Sequence, residues 1–95
     1  MKIRSILHKG LRRLIEDGVS TGLPANSAAK IEAIISFLMV AADVEKVQKL
    51  QAWKAHQLRG DRKGTWSLSV TRNWRITFDV NDANEIENLN FEDYH

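Results

Sequence analysis

The chain has 95 residues, of which 43% are hydrophobic and 27% charged, and a formal net charge of +2. This describes one globular domain over residues 1–95, not a disordered chain. With no cysteine, disulfide frameworks and thiolate metal clusters are excluded, and a reducing, cytoplasmic setting is the expectation. The longest nearly apolar run, residues 33–42, is well short of the roughly 20 residues of a membrane span. The basic start has no apolar stretch and cleavage pattern behind it, so neither a signal peptide nor a membrane partner is expected.

In chain order, residues 2–6 read as a weak strand. Leu7, Leu11, Leu14 and Ile15 have helical spacing up to Asp17, with Lys9, Arg12 and Arg13 on the other side and Gly18 as the stop. Gly22 and Pro24 mark a turn, and Asn26 or Ser27 is placed to cap a second helix. That helix is predicted over about Ser27 to Ala42, with Ile31, Ile34, Ile35 and Leu38 forming one apolar stripe. Asp43 caps a short third helix that turns Val44, Val47 and Leu50 inward.

Beyond about Gln51 the pattern changes to period two. Trp53 to Leu58 reads as a strand, followed by a glycine-flanked basic turn, residues 60–64. Trp66, Leu68 and Val70 alternate with polar residues, as do Trp74, Ile76, Phe78 and Val80. Residues 81–84 make a turn, and Glu85 to Phe91 a last strand. Short turns between successive strands imply an antiparallel meander, with the helices on one face: an α+β fold. Trp66 and Trp74 then belong to the core, while Asn73, Arg75 and Thr77 point to the opposite, open face.

Charge is segregated along the chain. Residues 54–75 carry Lys54, Arg59, Arg62, Lys63, Arg72 and Arg75 against Asp61 alone, and residues 79–93 carry acids without a base. Such segregation can leave a local positive surface on a nearly neutral protein, or simply a solvated one that the acidic segment neutralises. His8, His56 and His95 are not spaced as metal ligands. There is no phosphate loop and no serine elbow, so neither a metal nor a cofactor is expected.

What remains is His56, Arg59, Arg62, Lys63, Arg75, Asp93, Tyr94 and His95. These side chains suit metal-independent RNA cleavage, in which the 2′-hydroxyl attacks the adjacent phosphorus. One group must take the 2′-proton, another must protonate the leaving 5′-oxygen, and cations must stabilise the charge at phosphorus. Histidine serves as acid or base near neutral pH, and arginine presents a planar donor fork to phosphate. By residue type alone, a lone strand histidine such as His56 is more often structural or simply exposed, and the final Tyr-His reads equally as a frayed end.

The run Asn73-Trp74-Arg75-Ile76-Thr77-Phe78, the Gly60-Asp61-x-x-Gly64-x-Trp66-Ser67 turn and the closing Asp93-Tyr94-His95 resemble the HigB-type killer toxins of the RelE superfamily. His8-Lys9-Gly10-Leu11, Gly22 and Pro24 match the same family, so the resemblance covers essentially the whole chain. It implies the toxin of a bacterial type II toxin–antitoxin pair: a ribosome-dependent mRNA endoribonuclease that needs no metal and inhibits translation. The implied partners are a HigA-like helix-turn-helix antitoxin, the ribosome and mRNA, with operator DNA reached only through the antitoxin complex.

Carried over residue by residue, the catalytic set is His95, His56, Arg75, Asp93 and Tyr94. Arg59, Asn73, Arg62 and Lys63 are the RNA-binding set. This chain departs from the family's His-Pro-Leu-Lys-Gly motif, reading His56-Gln57-Leu58-Arg59-Gly60. Arginine can stabilise a phosphate there but not shuttle a proton. Two alternatives use the same scaffold: a toxin with another target such as DNA gyrase, and a binding module that does not cut.

Overall fold

The computed structural model describes residues 1–93; Tyr94 and His95 lie outside the described residues. Helix α1 (Lys9–Asp17) starts at His8, whose imidazole acts as the N-cap, and ends at Gly18 in the left-handed region at φ 70°. Helix α2 (Ala28–Val40) buries Ile31, Ile34, Ile35 and Leu38. Ser27 occupies its N-cap position but makes no capping bond; its hydroxyl instead donates to Asn26 Oδ1 at 3.3 Å. Helix α3 (Val44–Gln48) is capped by Asp43, which accepts from the Glu45 amide, and buries Val47.

Four strands follow: β1 (His56–Gln57), β2 (Trp66–Ser69), β3 (Trp74–Val80) and β4 (Ile86–Asp93). They form one antiparallel sheet in the order β1-β2-β3-β4, so the expected meander and α+β class hold. Leu11, Ile31, Ile34 and Leu38 from the helices join Leu68, Ile76, Phe78, Ile86 and Leu89 from the sheet in one core. Each such side chain contributes about 1.5–3 kcal/mol by leaving water. Among the described residues no helix is long and apolar enough to cross a membrane.

Four expectations need correction. The strand expected over Trp53 to Leu58 shrinks to the two residues of β1, preceded by a 3-10 turn at Gln51–Trp53. Lys54 sits in the left-handed region at φ 51°, which breaks an extended run. Residues 2–6 do not form a full strand. They run parallel to β4 through single bridges, Ile3 to Ile86 and Ile6 to Leu89.

Trp66 is in the core at 5% exposure, but Trp74 is 37% exposed. Trp74 lies at the first position of β3, where the core no longer covers it, and it stacks on Phe91 at a centroid distance of 4.8 Å. Finally, the face opposite the helices is not open throughout. Ser67 and Thr77 there are each 1% exposed.

Strand β4 contains an irregularity that alternation does not reveal. Thr77 pairs with Asn90 but Asp79 pairs with Glu87, so β4 holds an extra residue. Asn88 absorbs it at φ 55°, a conformation asparagine tolerates better than most residues. The bulge resets the parity of the strand. Ile86, Leu89 and Phe91 all reach the core, while Asn90 and Glu92 take the polar parity.

Candidate functional site

The register of the sheet decides which polar side chains meet. His56 pairs with Ser67, Ser67 with Thr77, and Thr77 with Asn90, giving one row across four strands. The adjacent row on the same face is Ser69, Arg75 and Glu92. Strand spacing and rise put the His56 and Arg75 Cα atoms roughly 12 Å apart, within joint reach of one phosphodiester. His56 is exposed, and its Nδ1 lies 2.7 Å from the Lys54 carbonyl. That contact fixes the ring and turns Nε2 outward, provided Nδ1 carries the proton. Arg75 is half-buried on β3.

The basic turn after β1 folds back over this face. Leu58 donates its amide to the Thr65 carbonyl at 2.8 Å, and Gln57 Nε2 reaches the Gly64 carbonyl at 3.2 Å. The glutamine that replaces the family's proline thus ties the two sides of the turn together. A 3-10 turn at Gly60–Arg62 then brings Arg62 to Glu92 on β4. The guanidinium makes a two-pronged ion pair, Nη1 to Oε1 at 2.7 Å and Nη2 to Oε2 at 2.8 Å.

Thr77 donates its hydroxyl to the same carboxylate, and Thr65 donates to Asp79 at 2.6 Å. The ion pair spans from the β1–β2 turn to β4, past β2 and β3, which is why Thr77 and Ser67 are buried. The Arg62 hydrogen bonds hold the Glu92 carboxyl at about 2, well below its ordinary value; partial burial opposes this, and the Thr77 bond and the charges of Arg62 and Arg75 assist it.

The remaining candidates lie around this centre. Arg59 and Lys63 are exposed and border a groove of ≈ 450 Å³ with Gln57, Leu58, Gly60 and Gly64. Asn73 is exposed in the β2–β3 turn. Asp93 ends β4 opposite Trp74, at the strand end nearest Arg75. The structure therefore gathers His56, Arg62 and Arg75 on one face, with Arg59 and Lys63 in the turn beside it, whereas Asp93 lies next to that row but on the opposite parity, paired with Trp74. The roles expected of Tyr94 and His95 fall on residues outside the described ones.

Sequence reasoning misses one member of this face, Glu92, and although it puts Thr77 here it does not foresee that Thr77 is buried and bonded to that carboxylate. By sequence, Glu92 is one more acid of a neutralising segment. Its strand parity could place it, but only with the Asn88 bulge known. His8 is missed as a structural group. Its Nδ1 accepts from the Gly10 and Leu11 amides at 3.0 and 3.3 Å, and burial lowers its pKa.

The chain is thus a small α+β domain whose helices cover one face of a four-stranded antiparallel sheet and whose other face is polar and carries Arg62 and Arg75. Residues 4–95 match the family model described as HigB-like toxin, the RelE-like toxin of the type II toxin–antitoxin system HigB. The chain is 41% identical over 93 residues to the "Endoribonuclease HigB" of Proteus vulgaris, covering 98% of this chain and 99% of that one.

In three dimensions it is similar to YafQ from Escherichia coli, with a TM-score of 0.57 and 12% identity over 98% of this chain and 93% of that one. It is similar to the same degree, TM-score 0.57 and 15% identity, to a chain of the heterotetrameric YoeB–YefM toxin–antitoxin complex from Staphylococcus aureus, covering 100% and 99%. The chain belongs to the HigB-like family of type II toxins, and its partner class is an antitoxin.

Proposed function

We propose that this toxin is an endoribonuclease that cuts mRNA presented by the ribosome and so inhibits translation. The observation that carries the reading is the near-full-length identity to an endoribonuclease of the same family. The polar face supports it by placing a histidine and an arginine within reach of one phosphate.

In this mechanism RNA lies across β1–β3. His56 and His95 divide the acid and base work: one takes the proton from the 2′-oxygen and the other gives a proton to the departing 5′-oxygen. The new 2′-O–P bond forms as the P–5′-O bond breaks, leaving a cyclic phosphate. Arg75 and Arg59 hold the phosphate and stabilise the charge that grows on it. Asp93 assists the acid and base work, and Tyr94 stacks on or positions a base. Asn73, Lys63 and Arg62 contact the strand on either side. All of this takes place in the bacterial cytoplasm, and a HigA-like helix-turn-helix antitoxin restrains it, carrying the complex to operator DNA.

The test is to map RNA 5′ ends in a purified translation system, with free mRNA as control. Wild type should give discrete ends only when ribosomes are present. His95→Ala and Arg75→Ala should each lower cleavage by about 10²–10⁴-fold while remaining folded. Undiminished cleavage by His95→Ala would sink the role given to that histidine.

A further inference from the structure

A second basic feature lies beside the candidate site, and no motif in the sequence marks it. Lys30 in the first turn of α2, Lys54 before β1, and Arg72 in the β2–β3 turn line one cleft of ≈ 350 Å³, together with Ser69, Val70 and Thr71. All three cations are exposed. Among the described residues no carboxylate lies within ion-pair distance of them. Arg62 differs in this respect, since Glu92 already satisfies it.

The cleft joins the candidate site through the backbone. Ser69 is the register partner of Arg75, Lys54 holds the His56 ring through its carbonyl, and Arg72 precedes Asn73 in the same turn. We infer that the Lys30–Lys54–Arg72 cleft is a second RNA-backbone site, which grips phosphates of a strand a few nucleotides from the bond cut at His56 and Arg75. This rests on the RNA-cutting reading of the neighbouring face.

The chemistry fits a polyanion. Three unneutralised charges of one sign around a polar cleft attract phosphates and release their counterions. Ser69 and Thr71 add hydroxyl donors. The Thr71 oxygen accepts from the Trp74 amide at 3.2 Å, which leaves its own proton free to donate. An antitoxin segment would need apolar surface to bury. Here only Val70 is apolar, whereas a groove between α1 and α2 is lined by Leu14, Ile15, Ile35 and Met39.

The test uses the full chain with Lys30→Gln, Lys54→Gln and Arg72→Gln combined. None of the three is in the proposed cleavage machinery. The control is Lys9→Gln with Arg13→Gln, which removes charge from the outer face of α1. One arm measures binding of a fluorescent single-stranded oligonucleotide with 2′-O-methyl riboses, uncleavable, over a range of salt. The other measures co-sedimentation with ribosomes.

The triple variant should bind about 10²-fold more weakly at 0.1 M salt and lose roughly 2 from the slope of log K against log salt. Loss with the oligonucleotide assigns the cleft to the message. Loss with ribosomes alone would assign it to ribosomal RNA and overturn its place on the strand that is cut. Binding unchanged in both arms, or an equal loss in the α1 control, would also overturn it. Because neither arm reads cleavage, a wild-type protein that failed to cut RNA would refute the enzymatic reading and leave this test intact.

Discussion

Two side chains hold protons in ways that make stability depend on pH, in separate windows. Glu92 is ionised in the fold down to about 2, against an ordinary 4.5, chiefly through Arg62. Its contribution is complete above 4.5 and is lost as pH falls toward 2, because the unfolded chain takes up the proton first. Arg62 is partly solvent-exposed, which screens the pair, so Glu92→Gln should cost about 1–2 kcal/mol at pH 7. Urea unfolding at pH 7 and pH 3 should show the gap between wild type and variant closing at the lower pH.

His8 acts the same way nearer neutrality. Burial lowers its pKa below 6.5, and only an unprotonated Nδ1 can accept from the Gly10 and Leu11 amides. Its contribution is present above 6.5 and lost as pH falls below it. Wild type should therefore melt at lower temperature at pH 5.5 than at pH 7.5. His8→Asn, which caps without titrating, should lose that part of the dependence.

Elements are fixed here by close approaches as much as by propensity. Gly10 lies inside helix α1, where alanine would ordinarily stabilise the helix by about 1 kcal/mol. Yet a Cβ at Gly10 would lie 2.8 Å from the Gly22 carbonyl carbon, against rigid backbone. Gly10→Ala should instead destabilise by about 1–3 kcal/mol, read as a lower urea midpoint. The same contact calls for glycine at both positions, since a Cβ at Gly22 would lie 2.9 Å from the Gly10 Cα.

The two-residue strand β1 and the β4 bulge show where pattern reading fails. A left-handed residue at Lys54 or Asn88 carries no hydrophobic signature, so period-two alternation runs past it. The helices are legible because Ile31, Ile34, Ile35 and Leu38 must share a stripe to be buried together. Alternation in β2 and β3 is legible for the same reason, except at Trp74, where the strand end lies outside the core.

For the whole molecule, RNA binding by the polar face should weaken steeply with salt, since most of its contacts would be to phosphates. Filter binding with a non-cleavable oligonucleotide at two salt concentrations checks this; salt-independent binding would mean that bases, not phosphates, dominate.

The sequence alone determined the class: helices before a meander, Arg75 on the parity opposite Ile76, and motifs specific enough to point to a family. Burial imposes a repeating period on the chain, and a period can be read in one dimension. The tertiary structure alone decided the partners. It set Glu92 beneath Arg62, folded the basic turn back over Thr77, made His8 a cap and drew Lys30, Lys54 and Arg72 into one cleft. Those meetings join residues up to 42 positions apart, and their distances depend on strand register and one bulge, for which no local pattern of polarity exists.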